Sequence, residues 1–177
     1  MAIRPAVPAQ RAGFGRVAGH YLPDLVYGAN DGIITTFAVV SGVVGASLSA
    51  RVVVILGLAN LIADGFSMGA SNYLARRSQV ERDVDARLEA ARHGAATTIG
   101  FLIAGVVPLA AYLVPLSPDA KFPAATVLAA VALFTVGAAR TLATRRGVLR
   151  SGIEMLLVGS VAGAVAFGIG ALAATVT

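Results

Sequence analysis

The sequence predicts an all-α integral membrane protein with five transmembrane helices, on three observations. Only 13% of the residues are charged, against about 25% in ordinary soluble domains. Those charges are clustered, which leaves stretches of roughly 20 residues or more nearly bare, the signature of a membrane span. The basic residues fall in the short connections between these stretches and are strongly biased to one side of the predicted membrane.

Taken in order, residues 1–20 contain Arg4, Pro5, Pro8, Arg11 and Arg16. They lack the continuous apolar core of a cleaved signal and read as a disordered cytosolic tail. Residues 21–177 read as one transmembrane domain. Its spans are expected at 25–47, 52–75, 95–115, 122–142 and 151–175. Each can cross about 30 Å of hydrocarbon at 1.5 Å per residue. Helices are required because lipid offers no partner to a free backbone group. Ser47-Leu48-Ser49 separates the first pair, and Pro115, Pro118 and Pro123 punctuate the third and fourth. Residues 76–94 form a short charged cytosolic segment.

Orientation follows from Lys and Arg. Arg4, Arg11 and Arg16 lie in the tail. Arg76, Arg77, Arg82, Arg87 and Arg92 follow span two, and Arg140, Arg145, Arg146 and Arg150 follow span four. Only Arg51 and Lys121 fall on the other side, so twelve of the 14 cations share one side. The N-terminus is therefore predicted in the cytosol and the C-terminus outside.

Several function classes are disfavoured. There is no cysteine, hence no disulfide and no thiolate metal site. The pI near 10.4 is explained by topology rather than by nucleic acid. No phosphate loop, nucleophile triad, haem motif or zinc-type spacing is present, so neither an enzyme nor a bound cofactor is expected.

Polar groups inside spans are costly and usually face a cavity or a partner. Asp31 falls in span one, Asp64 in span two and Glu154 near the start of span five, while Asp24 stands at the cytosolic entrance. Asp24 and Asp31, seven apart, share a helix face that Tyr27 and Thr35 extend. Asn60, Asp64, Met68 and Asn72 recur every four residues, a stripe of amides, a carboxylate and a thioether. Oxygen ligands with a softer sulfur suit a divalent transition metal better than magnesium or calcium. Binding that requires deprotonated carboxylates would also couple metal movement to protons.

Each of these residues has a plainer reading. Asp31 or Asp64 could serve a polar contact between helices, and Met68 could fill a core. Glu154 reads as the partner of Arg150 one turn earlier. Glu81, Asp85, Glu89 and His93 put one acidic face on the charged segment. That face reads either as a weak metal-collecting surface or, more simply, as a solvated helix end. His20 reads as an interfacial side chain. The pairs Gly28/Gly32 and Gly159/Gly163 allow close helix packing, within one chain or between two copies.

Three stretches carry a resemblance to a known family: Tyr27-Gly28-Ala29-Asn30-Asp31-Gly32-Ile33-Ile34-Thr35-Thr36-Phe37-Ala38, Leu58-Ala59-Asn60-Leu61-Ile62-Ala63-Asp64-Gly65-Phe66-Ser67-Met68-Gly69, and Ser151-Gly152-Ile153-Glu154-Met155-Leu156-Leu157-Val158-Gly159. They resemble the first, second and fifth spans of the vacuolar iron transporter family, in its short nodulin-like form without a long cytosolic metal-binding domain. The resemblance implies a five-span homodimer in the lipid bilayer that moves iron(II), often manganese(II), out of the cytosol against protons. It implies metal contacts at Asp31 and Met68, and an entrance acid at Asp24. Asp64 and Asn60 would add oxygens. Where metal-transporting plant relatives often carry a Glu, this chain has Asn60, its span-two acid lying one turn later at Asp64. A bacterial-type plasma membrane is the expected location. The alternatives are a transport-inactive interaction protein of the same fold and a passive cation channel.

Overall fold

The computed structural model describes residues 14–79, 84–142 and 147–176. Five helices follow one another: α1 (Phe14–Gly45), α2 (Ala50–Arg77), α3 (Val84–Leu113), α4 (Pro118–Ala139) and α5 (Val148–Ala173). One 3-10 turn, Arg140–Leu142, follows α4, and no strand occurs among the described residues. Helices α2 to α5 are each long and apolar enough to cross a bilayer. α1 is longer than any of them at 32 residues, but Asn30, Asp31, Thr35, Thr36 and Ser41 interrupt its apolar stretch.

Two boundaries differ from those read in the sequence. α1 begins at Phe14, so residues 14–20 are helical rather than tail. Residues 1–13 lie outside the described residues, as do Glu81, Arg82, Arg145 and Arg146. α3 begins at Val84, well before the span start expected at 95. Hydropathy marks the part of a helix that suits lipid, whereas the backbone ladder continues into water wherever the side chains permit. Asp85 in the first turn of α3 favours that start, since a carboxylate opposes the positive end of the helix dipole.

α1 occupies the centre and packs on the four other helices. Its contact with α3 is parallel and keeps one register throughout. His20 meets Glu89 and Asp24 meets His93, each 69 residues apart, and Gly28 lies on Thr97 and Gly32 on Phe101 in the same step. Glycine makes this possible: a Cβ at Gly28 would overlap the Thr97 carbonyl oxygen, and one at Gly32 the Phe101 carbonyl oxygen. In lipid, helices associate by such close van der Waals contact rather than by excluding water. Gly159 and Gly163 likewise receive Leu133 and Phe37 of the same chain. Both small-residue pairs are thus used in packing within one chain.

α2 runs antiparallel to α3, with Gly57 against Leu109, Gly65 against Leu102 and Gly69 against Gly94 and Thr98. α5 runs parallel to α1 and antiparallel to α4. The starts of α1, α3 and α5 therefore gather at one end with the ends of α2 and α4. Arg76, Arg77, Arg87, Arg92, Arg140 and Arg150 stand there, while Arg51 and Lys121 stand at the other. At that far end the Lys121 ammonium approaches the carbonyls of Tyr112 and Val114 at 3.4 Å each, which suits a cation at the negative end of α3.

Ser47 closes α1. Its φ is 57°, the Leu48 N–H reaches Val43 O at 3.1 Å, and the Ser47 N–H reaches Val44 O at 2.9 Å. These are the two bonds of a Schellman ending, with serine where glycine is the unstrained choice. Ser47→Gly is expected to raise stability by about 0.5–1 kcal/mol, read from thermal unfolding in detergent.

Candidate functional site

The packed face of α2 is Val53, Gly57, Leu61, Gly65 and Gly69. The polar stripe Asn60, Asp64, Met68 and Asn72 lies one position earlier, about 100° around the helix. It borders the packed face, and all four residues are half-buried. From α1, the half-buried Asp31 lies close enough for Asp64 to act on it through charge. The buried Nδ2 of Asn60 and Oδ1 of Asn30 have no hydrogen-bond partner among the described residues. A buried amide without a partner is costly, and the oxygen and nitrogen of an Asn side chain exchange by a half-turn. The three helices converge here: a Cβ at Gly105 of α3 would meet Gly32 O at 2.8 Å and Leu61 Cδ1 at 2.6 Å.

Other residues singled out in the sequence stand apart from this group. Thr35 Oγ1 donates to the Asp31 backbone carbonyl at 2.9 Å, not to its carboxylate. Tyr27 is 61% exposed, so it does not extend the acidic face inward. Arg150 Nε donates to Glu154 at 3.1 Å, the expected one-turn pair.

Asp24 and Asn72 belong to a second polar group at the arginine-rich end. Asp24 is 6% exposed. Its Oδ1 accepts from Asn72 Nδ2 at 2.8 Å and from an Arg76 terminal nitrogen at 3.1 Å, and its Oδ2 accepts from His93 Nδ1 at 2.6 Å. Asn72 also donates to Thr97 Oγ1 at 2.6 Å and accepts from Arg76 Nε at 2.9 Å. Both oxygens of Asp24 are therefore engaged by protein groups. Above it, Glu89 Oε1 accepts from His20 Nε2 and from the Tyr21 hydroxyl, both at 2.8 Å. Of the acidic face expected on residues 81–93, Glu89 and His93 turn toward α1, Asp85 is exposed, and Glu81 lies outside the described residues. His20, Tyr21, Arg76 and Thr97 were not singled out as partners. The available signal was spacing: His20 and Asp24, like Glu89 and His93, are one helical turn apart.

Asp24 stands just ahead of the span read from residue 25. Burial, the largest influence, pushes its carboxyl up; hydrogen bonds from His93 and Asn72 and the charge of Arg76 outweigh it and hold it below the ordinary 3.8. A depressed folded value adds stability above the unfolded value, lost as pH falls through the folded one. The wild type is expected to unfold more readily below pH 3.8 as Asp24 takes up a proton. Asp24→Asn is expected to lose about 3 kcal/mol at pH 7 and to flatten that acid limb. Thermal unfolding across pH checks both.

Comparison with known proteins bears on what these groups do. The sequence model of the VIT family matches residues 22–89 and 80–171. "Vacuolar iron transporter homolog 5" of Oryza sativa subsp. japonica is 31% identical over 166 residues, covering 85% of this chain and 79% of that protein. "Vacuolar iron transporter" of Plasmodium berghei (strain Anka) is 44% identical over 61 residues, 34% of this chain. "Vacuolar iron transporter 1" of Arabidopsis thaliana is 37% identical over 62 residues. The match spans 22% of the Plasmodium protein's length and 25% of the Arabidopsis protein's.

Proposed function

This chain belongs to the VIT family, and on that footing we propose that it moves iron(II), or manganese(II), out of the cytosol in exchange for protons. The observation that carries the reading is one half-buried acid on each of two contacting helices, Asp31 on α1 and Asp64 on α2, with the unpartnered Asn60 amide one turn from Asp64, in a chain whose relatives are named iron transporters. Two half-buried carboxylates on contacting helices need a compensating charge in a low-dielectric setting. A divalent ion supplies it in one state, and protons supply it in the other. Asp31 and Met68 contact the ion, Asp64 and Asn60 add oxygens, and the thioether biases the site toward a transition metal. Asp24 stands between the cytosolic surface and this group.

In the proposed topology all five helices span the bilayer, α1 included, with the N-terminus in the cytosol and the C-terminus outside. The arginine-rich end is the cytosolic one. Two copies associate through the apolar faces that α2, α4 and α5 leave exposed, and the membrane is a bacterial-type plasma membrane. Export there and loading of a vacuole are the same movement, from the cytosol across a membrane.

The test is flux into proteoliposomes under an imposed pH gradient, across iron, manganese, cobalt, zinc and magnesium. Iron(II) or manganese(II) flux that vanishes with the gradient is expected. Flux that persists unchanged without it would make the protein a passive channel. A transport-inactive protein is the second reading, favoured by Asn60 at the position where metal-transporting plant relatives often carry a Glu; no flux of any metal, with dimers intact, would establish it.

A further inference from the structure

The chain has only two histidines in its 177 residues. They come from different helices, yet their ring centroids lie 4.9 Å apart, with the Glu89 carboxylate between the two Nε2 atoms. His20 Nε2 is 2.8 Å from Glu89 Oε1, and His93 Nε2 is 3.7 Å from the same oxygen. One ligand atom from each of the three residues lies within 4.8 Å of the others. We propose that His20, Glu89 and His93 form a second metal site, one that captures a borderline divalent transition-metal ion at the cytosolic mouth before it enters the membrane.

Three features separate this group from an ordinary solvated helix end. The first is the state of His93. A carboxylate can only accept, so the 2.6 Å contact with Asp24 assigns the ring proton to Nδ1. A neutral ring with that proton committed presents a lone pair at Nε2, and Nε2 is the atom turned toward Glu89. A carboxylate behind a histidine fixes the tautomer, orients the ring and makes the free nitrogen a better ligand. The second is burial: His93 is 6% exposed and Asp24 likewise, so the orienting pair is rigid. The third is Glu89, which Tyr21 holds by a 2.8 Å hydrogen bond.

A cleft of about 220 Å³ lined by Arg76, Gln79, Glu89 and His93 opens beside the group. An incoming ion takes the place of the proton between His20 Nε2 and Glu89, and a neutral His20 then carries its ring proton on Nδ1. Two imidazoles and a carboxylate favour cobalt, nickel and zinc over manganese, in the Irving–Williams order, and discriminate against magnesium and calcium. Arg76 would repel a cation, but its guanidinium is engaged by Asp24 and Asn72.

The chemistry of this site stands apart from the transport reading; only its purpose rests on that reading. The test therefore uses the full chain in lipid nanodiscs, wild type and Asp31→Ala, titrated with cobalt(II). With two histidines in the chain, paramagnetic shifts of imidazole ring protons report this site alone. Both rings are expected to shift together at one cobalt per chain, in wild type and in Asp31→Ala alike. His20→Ala and Glu89→Gln, at residues that are not buried, are each expected to weaken that cobalt binding at least tenfold. Asp24→Asn is expected to weaken it by about 10- to 100-fold. Unshifted rings at saturating cobalt would overturn the inference, as would equal affinity in wild type, His20→Ala and Glu89→Gln. Unshifted rings with intact flux would sink the capture site alone; shifted rings without flux would sink transport alone.

Discussion

Asp31→Ala is expected to reduce iron(II) flux in proteoliposomes by about 100-fold or more while leaving the fold intact. The side chain is half-buried and accepts no hydrogen bond among the described residues; the Thr35 hydroxyl bonds to its backbone carbonyl instead. Its removal therefore costs little packing. What it removes is one of two acids that share a region of low dielectric, where a cation without its counter-charge is expensive by several kcal/mol. A loss of about 3 kcal/mol of ion stabilisation corresponds to that factor of 100 or more. Asp31→Asn should behave alike, since the amide keeps the shape and lacks the charge. Met68→Ala should fall less, by about tenfold, and should shift preference from iron toward manganese, because it deletes the only sulfur of the set. Equal flux in wild type and Asp31→Ala would reject the site.

Gly28→Val is expected to be the most damaging single packing change, costing about 3 kcal/mol or more and taking flux to background. A Cβ there would overlap the Thr97 carbonyl oxygen, which is backbone and cannot rotate aside. Overpacked cores typically lose 1–3 kcal/mol when side chains can adjust, and here only a helix can move. The loss would spread, because α1 carries Asp24 and Asp31 while α3 carries His93. Parting the two helices by 1 Å would already break the 2.6 Å contact between Asp24 and His93. Gly32→Val should act alike through Phe101. Gly19→Val is the control, because a Cβ at Gly19 meets nothing within 4 Å. A midpoint of thermal unfolding for Gly28→Val within a degree of wild type would contradict this account.

The elements that hydropathy can see were legible in the sequence, as were the acids that lipid makes costly. The helical class, the four apolar spans and the turn at Ser47 all follow from side-chain type and chain-reversal chemistry. Glu154 with Arg150 was readable because both lie on one helix. Two things were hidden, for different reasons. The helical extensions at Phe14 and Val84 carry polar side chains, and hydropathy does not report a helix in water. The cluster of His20, Glu89 and His93 depends on two helices 69 residues apart. Their register is set by where glycines let backbones touch, not by any periodicity within either helix. His20 accordingly read as interfacial, and the acidic face of 81–93 as a weak metal-collecting surface or, more simply, a solvated helix end, with nothing to join the two before the α1–α3 contact.

That constant register makes α1 and α3 a single stave. Sliding one along the other by even one residue, 1.5 Å, would bring a helix ridge against a glycine notch. The seven residues from Asp24 to Asp31 therefore act as a ruler of about 10 Å between the arginine-rich end and the acid further along α1. The helix between them fixes that length. In the proposed transport cycle any rearrangement would fall to the other helices, which pack on α1 and α3 without their constant backbone register.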